Sequence, residues 1–266
     1  MKLSKLSKYT LLYLLIVMGI SGCSSNEINH FSEAQQTFSD TASKENGLNT
    51  MEKPSLKVLG ASVPSAEMAS ISAGYASVIS SLDSLSAAQV NKLKQAQLWG
   101  NVLLLKAMSY WRLQKYERAY TIQQQAEAFR TQLGSRDQAL LIALAGLIEN
   151  DQAYAVLKKR RGHELPLTEA QSLQQSFVFT IDRLQAARKH TSARHPIHKY
   201  LLLSQLGAYK NLSQACKLHR ATEKSCVQAK QCDAIQGYDQ LIALLKAEKI
   251  SVIKPKRLLG LNHHRL

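Results

Sequence analysis

From Pro64 onward, apolar residues recur at intervals of three and four positions, with Ala, Leu, Gln and Lys abundant. This periodicity places apolar side chains on one face of an α-helix, and these residue types have high helix propensity. No stretch alternates apolar and polar residues between Gly or Pro, as a half-buried strand would. The pattern therefore predicts an all-α fold. The predicted helices cover 66–84, 87–113, 116–133, 136–149, 152–161, 169–190, 196–219 and 233–249.

Local signals mark where several helices begin and end. Ser or Thr followed three positions later by Gln fits the capping box, in which each side chain satisfies a free backbone amide. These boxes begin at Ser86, Ser135 and Thr168. Gly134 and Gly162 stand where glycine commonly ends a helix, and Pro196 suits the first turn of one. The short connections favour antiparallel neighbours.

The first part of the chain has a different pattern. Lys2, Lys5 and Lys8 precede an apolar run from Tyr9 to Ile20, which is shorter than the roughly 20 residues that span a bilayer. A basic start, a short apolar run and a small-residue exit are typical of a secretory signal peptide. The alternative is an uncleaved membrane anchor with an incidental cysteine.

The exit of that run, Ile20-Ser21-Gly22-Cys23, resembles the lipobox of bacterial lipoproteins. The resemblance implies that residues 1–22 are a signal peptide, removed by cleavage before Cys23, and that Cys23 is acylated. Ser24 follows the cysteine, where Gram-negative lipoproteins kept in the inner membrane have Asp. The resemblance therefore implies an anchor in the periplasmic face of the outer membrane. Several acyl chains hold a protein far more firmly than one.

Residues 23–65 are rich in Ser, Thr, Asn and Glu and show no sustained periodicity. Such a stretch buries too little apolar surface to offset the entropy lost on ordering. We therefore expect a flexible tether that lifts the domain off the membrane. The helical domain is expected at 66–250, followed by a loose basic tail at 251–266.

The stretch from Leu103 to Phe129 resembles a tetratricopeptide repeat (TPR). Its centre, SYWRLQKYERAY, is similar to the helix-turn-helix of that family, and small Ala107 and Ala119 stand where two helices would cross closely. The stretch 148–159 resembles the second helix of another, weaker hairpin. The resemblance implies TPR-like stacked antiparallel helix hairpins, an α-solenoid. The alternative is an ordinary helical bundle that contains one such hairpin by chance.

In the TPR family, peptides lie in a groove lined by the first helix of each hairpin. The matching positions in this chain are Asn101, Leu104, Met108 and Arg112, with Trp111 nearby. The resemblance therefore implies a partner-binding groove at these residues. In the alternative, Leu104 and Met108 pack against the preceding helix.

Positive charge is concentrated in the C-terminal half. The whole chain has a formal net charge of +15, and residues 151–266 contain twenty basic and eight acidic residues. KKRRGH at Lys158–His163 and the histidines His190, His195 and His198 form two basic clusters. Each fits an acidic or phosphate-bearing ligand, and each is equally consistent with a solvated surface. Export disfavours nucleic acid as that ligand.

Three further cysteines, Cys216, Cys226 and Cys232, lie near the C-terminus. An exported chain meets oxidising conditions, which favours a disulfide between two of them. Together with His219 they form an alternative zinc-ligand set, although the spacing from Cys226 to Cys232 is wide for a structural zinc site. A third alternative is three free thiols in a helical core.

The sequence contains no GxSxG, P-loop, HExxH or dinucleotide-binding glycine motif, and its acidic residues are scattered. It therefore predicts a protein that is not an enzyme and has no cofactor or metal. The leading hypothesis is an outer-membrane lipoprotein that binds an envelope protein as an adaptor or assembly factor. An alternative is assistance in small-molecule uptake, similar to cryptic-TPR lipoproteins associated with TRAP-type transporters. An enzyme acting on peptidoglycan would need clustered acids or a Ser/His pair.

Overall fold

The computed structural model describes residues 26–51, 65–160, 165–192, 196–218 and 242–243. These residues are mostly helical and include no strand, which confirms the all-α prediction. Their helices are α1 (Asn26–Met51), α2 (Ser65–Asp83), α3 (Ala87–Gln95), α4 (Trp99–Arg112), α5 (Tyr116–Glu127), α6 (Ser135–Lys159), α7 (Leu167–Arg188) and α8 (Pro196–Leu218). A short 3-10 turn, Arg130–Gln132, lies between α5 and α6.

Helix α1 corrects the prediction of a flexible tether. Residues 26–51 are helical, and Phe31 and Ala34 are buried in an apolar cluster shared with α2, α3 and α4. The pattern of apolar residues did not predict this helix, because only one narrow side of the helix is apolar and most of its other positions are polar. The remaining residues of the predicted tether, 23–25 and 52–64, lie outside the described part of the chain.

The predicted helix 87–113 is in fact two helices, α3 and α4, with a turn at Gln97. Gln97 has a φ of 58°, and the Leu98 N–H donates to the Leu93 carbonyl at 2.9 Å. This hydrogen bond across a left-handed residue is a Schellman motif, which usually has Gly at that position. The turn between α4 and α5 has Gln114 at the same φ of 58°. Neither turn contains Gly, and for this reason the first of them was not predicted.

Helix α6 is continuous where two helices, 136–149 and 152–161, were predicted. It runs unbroken through Asn150 and Asp151. These two residues fall in the gap between the predicted helices, but both side chains are buried. Their hydrogen bonds therefore lie between helices and not in a loop.

Of the predicted capping boxes, the one at Ser86 is confirmed. The Ser86 N–H donates to Gln89 Oε1 at 2.9 Å, and the Gln89 N–H donates to Ser86 Oγ at 3.3 Å. The boxes at Ser135 and Thr168 are wrong. The N-cap of α6 is Gly134, one position before Ser135, and the N-cap of α7 is Pro166, two positions before Thr168.

Two other predicted helix ends can be compared with the structure. Gly134 has φ −63° and ψ 158°, so it is an extended N-cap and not the left-handed end of a helix. Pro196 is the first residue of α8, as predicted. Gly162 lies outside the described residues.

The helices pack in a regular order. Each of α1, α4, α6 and α7 packs against the next helix in the chain, and α2 and α5 pack against α4 and α6 respectively. Alternate helices also touch, since α4 contacts both α1 and α6, and α6 contacts α8. We call the surface formed by α1, α4, α6 and α8 the front face. Helix α3 lies against α1 and α4.

The central core contains the two small residues predicted at a close crossing, Ala107 and Ala119, both fully buried. Helices α6 and α7 approach each other closely at Gly146. A Cβ on Gly146 would lie 2.9 Å from Arg183 Cβ and 3.2 Å from the Thr180 carbonyl oxygen. The Thr180 hydroxyl donates to the Gly146 carbonyl at 3.0 Å, so glycine here permits both the contact and the hydrogen bond.

Among the described helices, α6 alone is long and apolar enough to cross a membrane. About 72% of its most apolar window is buried inside the fold. Its apolar character is therefore explained by its place in the core, where it contacts α4, α5, α7 and α8.

Candidate functional site

The five residues of the predicted groove do not line an open groove. Leu104 and Trp111 are 4% and 7% exposed, and Met108 packs against the central core. The Asn101 amide donates to Asp137 Oδ2 of α6 at 2.7 Å, and Arg112 is half-buried beside α1. The prediction is wrong for Leu104 and Trp111, because both are buried in the central core with residues of α2, α5 and α6.

Instead, α4 and α6 bring together a buried polar cluster. The Trp111 Nε1–H donates to Asp151 Oδ2 at 2.9 Å, and the Asn150 amide donates to Asp151 Oδ1 at 3.2 Å. On the other side, the Asn211 amide of α8 donates to Asn150 Oδ1 at 3.1 Å. These hydrogen bonds join α4, α6 and α8 across the front face, and Asp151 lies at their centre.

The cluster continues from α4 to α1 through Arg112. Its guanidinium lies 4.6 Å from the centre of the Trp111 ring and 3.7 Å from Glu45 Oε2. The Tyr75 hydroxyl of α2 donates to the same Glu45 oxygen at 2.6 Å. We call the whole set the polar seam. Its residues are Glu45, Tyr75, Trp111, Arg112, Asn150, Asp151 and Asn211.

Burial changes the pKa of Asp151 and of two nearby tyrosines, Tyr116 and Tyr200. Desolvation raises the pKa of Asp151 to about 6, against the opposing effects of hydrogen bonds from Trp111 and Asn150 and of the Arg112 charge. Burial, followed by the charge of Asp151, raises the pKa of Tyr116 to about 12. Burial also raises the pKa of Tyr200, although Arg112 opposes this shift. Of these three groups, Asp151 has the pKa nearest to neutral pH.

A small cavity opens beside Asp151. Its volume is about 10 Å³, which is about the space of a single water. Its lining consists of Trp111, Leu147, Asn150, Asp151, Thr180, Leu184, Tyr200 and Ser204. The cavity can hold one water beside the Asp151 carboxylate and is too small for a metabolite.

Sequence reasoning missed Asp151 as a site residue. The available signal was an Asn-Asp pair inside the otherwise apolar segment of α6, at the gap between the predicted helices 136–149 and 152–161. Buried titratable groups with shifted pKa values are candidates for functional sites, although structural networks perturb pKa values in the same way.

The first basic cluster, at 158–163, includes one residue that forms an ion pair within the domain. Arg160 donates to Glu169 at 3.1 and 2.8 Å through two nitrogens, which ties the end of α6 to the start of α7. Lys158 and Lys159 are exposed, and 161–163 lie outside the described residues. Arg160 is therefore engaged in an internal ion pair.

The histidine cluster does not form one exposed patch. His190 is exposed, whereas His198 is 7% exposed, and its Nδ1 lies 3.0 Å from the Thr191 hydroxyl. His195 lies outside the described residues. The prediction of a common binding patch is wrong for His198.

The cysteine predictions fall mostly outside the described part of the chain. Cys216 belongs to α8, and the placement of its side chain is not described; Cys226, Cys232 and His219 lie outside it. Within the described ranges, no group of three or more His, Cys, Asp or Glu residues is placed to hold a metal ion.

Comparison of the chain with protein-family models, with curated proteins and with solved structures gives no match.

Proposed function

We propose that the chain is a lipoprotein of the cell envelope, anchored in the outer membrane through Cys23, whose helical domain binds a protein partner as an adaptor or assembly factor. The anchor rests on the sequence Ile20-Ser21-Gly22-Cys23 behind a basic start and a short apolar run. Helix α1 begins at Asn26, three residues after Cys23. The folded domain would therefore start almost at the lipid.

The domain is proposed to be a TPR-like solenoid. The pairs α1/α2, α4/α5 and α6/α7 would be three hairpins, with α8 as the first helix of a fourth. The observation that carries this proposal is that first helices contact each other in series, α1 with α4, α4 with α6 and α6 with α8. Three hairpins also meet the minimum that stacked repeats need to bury a continuous core.

The partner is proposed to bind on the exposed stripe of α6, which is a first helix in the TPR-like arrangement. The predicted contacts on α4 are mostly buried. Gln152 and Val156 lie on that stripe, and Val156 is an exposed large apolar side chain. Exposed apolar side chains beside polar ones are typical of the contacts that protein partners make.

A substitution tests the anchor. Cys23→Ala should block lipid labelling and leave the precursor uncleaved, because the thiol that carries diacylglycerol is lost. Labelling with a fatty-acid analogue and the mass of the N-terminal peptide measure both. If the variant still loses residues 1–22 and still partitions with membranes, it is not a lipoprotein.

Photo-crosslinking in the cell tests the binding face. A photoreactive amino acid in place of Gln152 on α6 should capture one envelope protein reproducibly, which mass spectrometry then identifies. The same amino acid in place of Phe179, which is exposed on α7, is the matched control and should capture none. Equal capture at both positions, or none at either, contradicts the proposal.

The alternative, assistance in small-molecule uptake, has less support. It requires an enclosed cavity that holds a metabolite, and the cavity beside Asp151 has room for about one water. A thermal shift caused by a metabolite-sized ligand would favour this alternative, because it would require a cavity larger than the one beside Asp151.

A further inference from the structure

The start of α1 lies at one edge of the domain, together with the ends of several other helices. Lys92 Nζ of α3 lies 2.9 Å from Glu27 Oε1 in the first turn of α1. The Asn101 amide joins the first turn of α4 to that of α6 at Asp137. A Cβ on Gly100 would lie 2.9 Å from Phe129 Cβ, so the α5–α6 connection is also there.

The end of α7 and the start of α8 belong to the same edge. Gly146 of α6 meets Thr180 and Arg183 of α7, so the antiparallel pair brings the end of α7 towards the start of α6. The Thr191 hydroxyl lies 3.0 Å from His198 Nδ1 in the first turn of α8. We call this end of the domain the basal edge. It comprises α3, the starts of α1, α4, α6 and α8, the end of α7 and the connection between α5 and α6.

Ion pairs at the basal edge present their cations outward. The side chains of Lys92 and Glu27 are 61% and 7% exposed. The corresponding values are 51% and 25% for Arg130 and Glu127, and 67% and 28% for Arg136 and Asp137. In all three pairs the acid is recessed and the base reaches into solvent, so the field outside the edge is positive.

Further exposed cations extend this surface. Lys94 on α3 and Lys189 at the end of α7 are both exposed. A fourth pair, Lys106 with Asp83, has the opposite arrangement, with side chains 20% and 47% exposed. Ile28, in the first turn of α1, is 38% exposed. The edge therefore combines several outward cations with an exposed apolar side chain.

The chain length to Cys23 limits how far this edge can stand from a membrane. Three residues span at most about 11 Å when fully extended. That distance is close to the Debye length of about 8 Å at physiological ionic strength. Charges at the basal edge would therefore act directly on a membrane that holds Cys23.

We propose that the basal edge rests on the anionic phosphate head groups of the membrane that carries the Cys23 lipid. The proposal relies on the lipid anchor described under Proposed function. With this edge on the membrane, α1 and α4 rise away from the surface and the front face opens sideways into the surrounding compartment. The cations bind head-group phosphates, and Ile28 contacts the interfacial region.

The test uses the full chain, made in cells, purified in detergent and reconstituted into phosphatidylcholine vesicles with or without phosphatidylglycerol. A photoreactive amino acid replaces Arg136 at the basal edge or, as the matched control, Lys115 at the far end of α4. Both native side chains are exposed. The yield of phospholipid adduct on the protein should be several-fold higher at Arg136 than at Lys115, and higher still with phosphatidylglycerol.

Charge reversal supplies a second measurement. Lys94→Glu with Lys189→Glu should lower the adduct yield at Arg136 about 25-fold on phosphatidylglycerol vesicles, since each of the two basic residues near an anionic surface strengthens binding about fivefold. Lys115→Glu with Lys159→Glu, at the opposite end, changes the net charge equally and should leave the yield unchanged. Circular dichroism confirms that both double variants are folded.

Equal adduct yields at Arg136 and Lys115, or equal effects of the two double variants, would overturn the proposal. The mass of the Cys23 peptide separates this result from failure of the anchor. If the chain is acylated but shows no preference for Arg136, the proposed membrane contact is wrong and the anchor is correct. If the chain is not acylated but shows the preference, the anchor is wrong and the membrane contact is correct.

Discussion

The indole of Trp111 donates its only polar hydrogen to Asp151, 40 positions further along the chain, at 2.9 Å and out of contact with solvent. Trp111 belongs to α4 and Asp151 to α6, so this hydrogen bond joins two helices that are not consecutive. A buried donor or acceptor without a partner costs about 1–3 kcal/mol. The pair therefore favours the one register of α4 against α6 that satisfies both groups.

The raised pKa of Asp151 predicts a pH dependence of stability. The folded-state pKa is about 6, against an ordinary value of 3.8, so the folded protein binds the proton more tightly. This contribution is fully present below pH 3.8 and is lost as the pH rises through 6. One pKa unit corresponds to about 1.4 kcal/mol, which gives a loss on the order of 3 kcal/mol between pH 4 and pH 7.

Asp151→Asn should remove that dependence, since an amide does not titrate. Urea unfolding of wild type and variant across this pH range measures the difference between their unfolding free energies. The difference should change in favour of the variant as the pH rises. Asp182→Asn, at an exposed position of α7, is the control. Parallel curves for wild type and Asp151→Asn would show that Asp151 has an ordinary pKa in the folded protein.

Phe31→Ala should destabilise the domain by about 3–5 kcal/mol, the usual cost of removing a buried aromatic side chain. Phe31 is 5% exposed in the cluster between α1 and its neighbours. Ile28→Ala, at a position 38% exposed, should change the unfolding free energy by less than about 1 kcal/mol. If both substitutions leave the melting temperature unchanged, residues 26–51 do not pack on the domain.

Ala119→Leu should destabilise by about 1–3 kcal/mol, because Ala119 is fully buried in the central core and three more carbons have no space there. Arg130→Ala is the control, since its side chain is 51% exposed and its contact with Glu127 is 3.7 Å long. That change should stay within about 0.5 kcal/mol. A neutral Ala119→Leu would mean that α4 and α5 do not cross closely at this residue.

Gln114→Gly should stabilise the protein by roughly 0.5–1 kcal/mol. Gln114 has a φ of 58°, a conformation that costs a residue with a Cβ about 1 kcal/mol and glycine almost nothing. The same substitution at Gln125, exposed within α5, should instead cost up to about 1 kcal/mol of helix propensity. Denaturant midpoints of the two variants should therefore move in opposite directions, and a shift in the same direction would contradict the left-handed turn.

Residues that interact with near neighbours could be predicted from the sequence. The capping box at Ser86 is an example, because its two partners are three residues apart and form the same bonds in any helix that starts there. The start of α8 at Pro196 is another, since proline fixes its own φ. For the same reason, the helical periodicity correctly predicted the all-α class.

Features that depend on distant partners could not be predicted. Helix α1 has too few apolar residues to show a clear pattern, and Phe31 is buried only because α2, α3 and α4 surround it. Likewise, Leu104 and Trp111 have the spacing of groove residues, but both are buried in the central core with residues of α2, α5 and α6. The sequence around each residue does not indicate how many helices will pack against it or from which direction.

The sequence by itself determined the helical class, the interior position of the small residues Ala107 and Ala119 and the basic character of the chain. Only the tertiary structure decided that Asn150 and Asp151 continue a helix and are buried. An isolated Asn-Asp pair favours a turn, because its polar groups then reach water. In the folded chain Trp111 and Asn211 supply those hydrogen bonds from other helices, and the buried pair becomes part of α6.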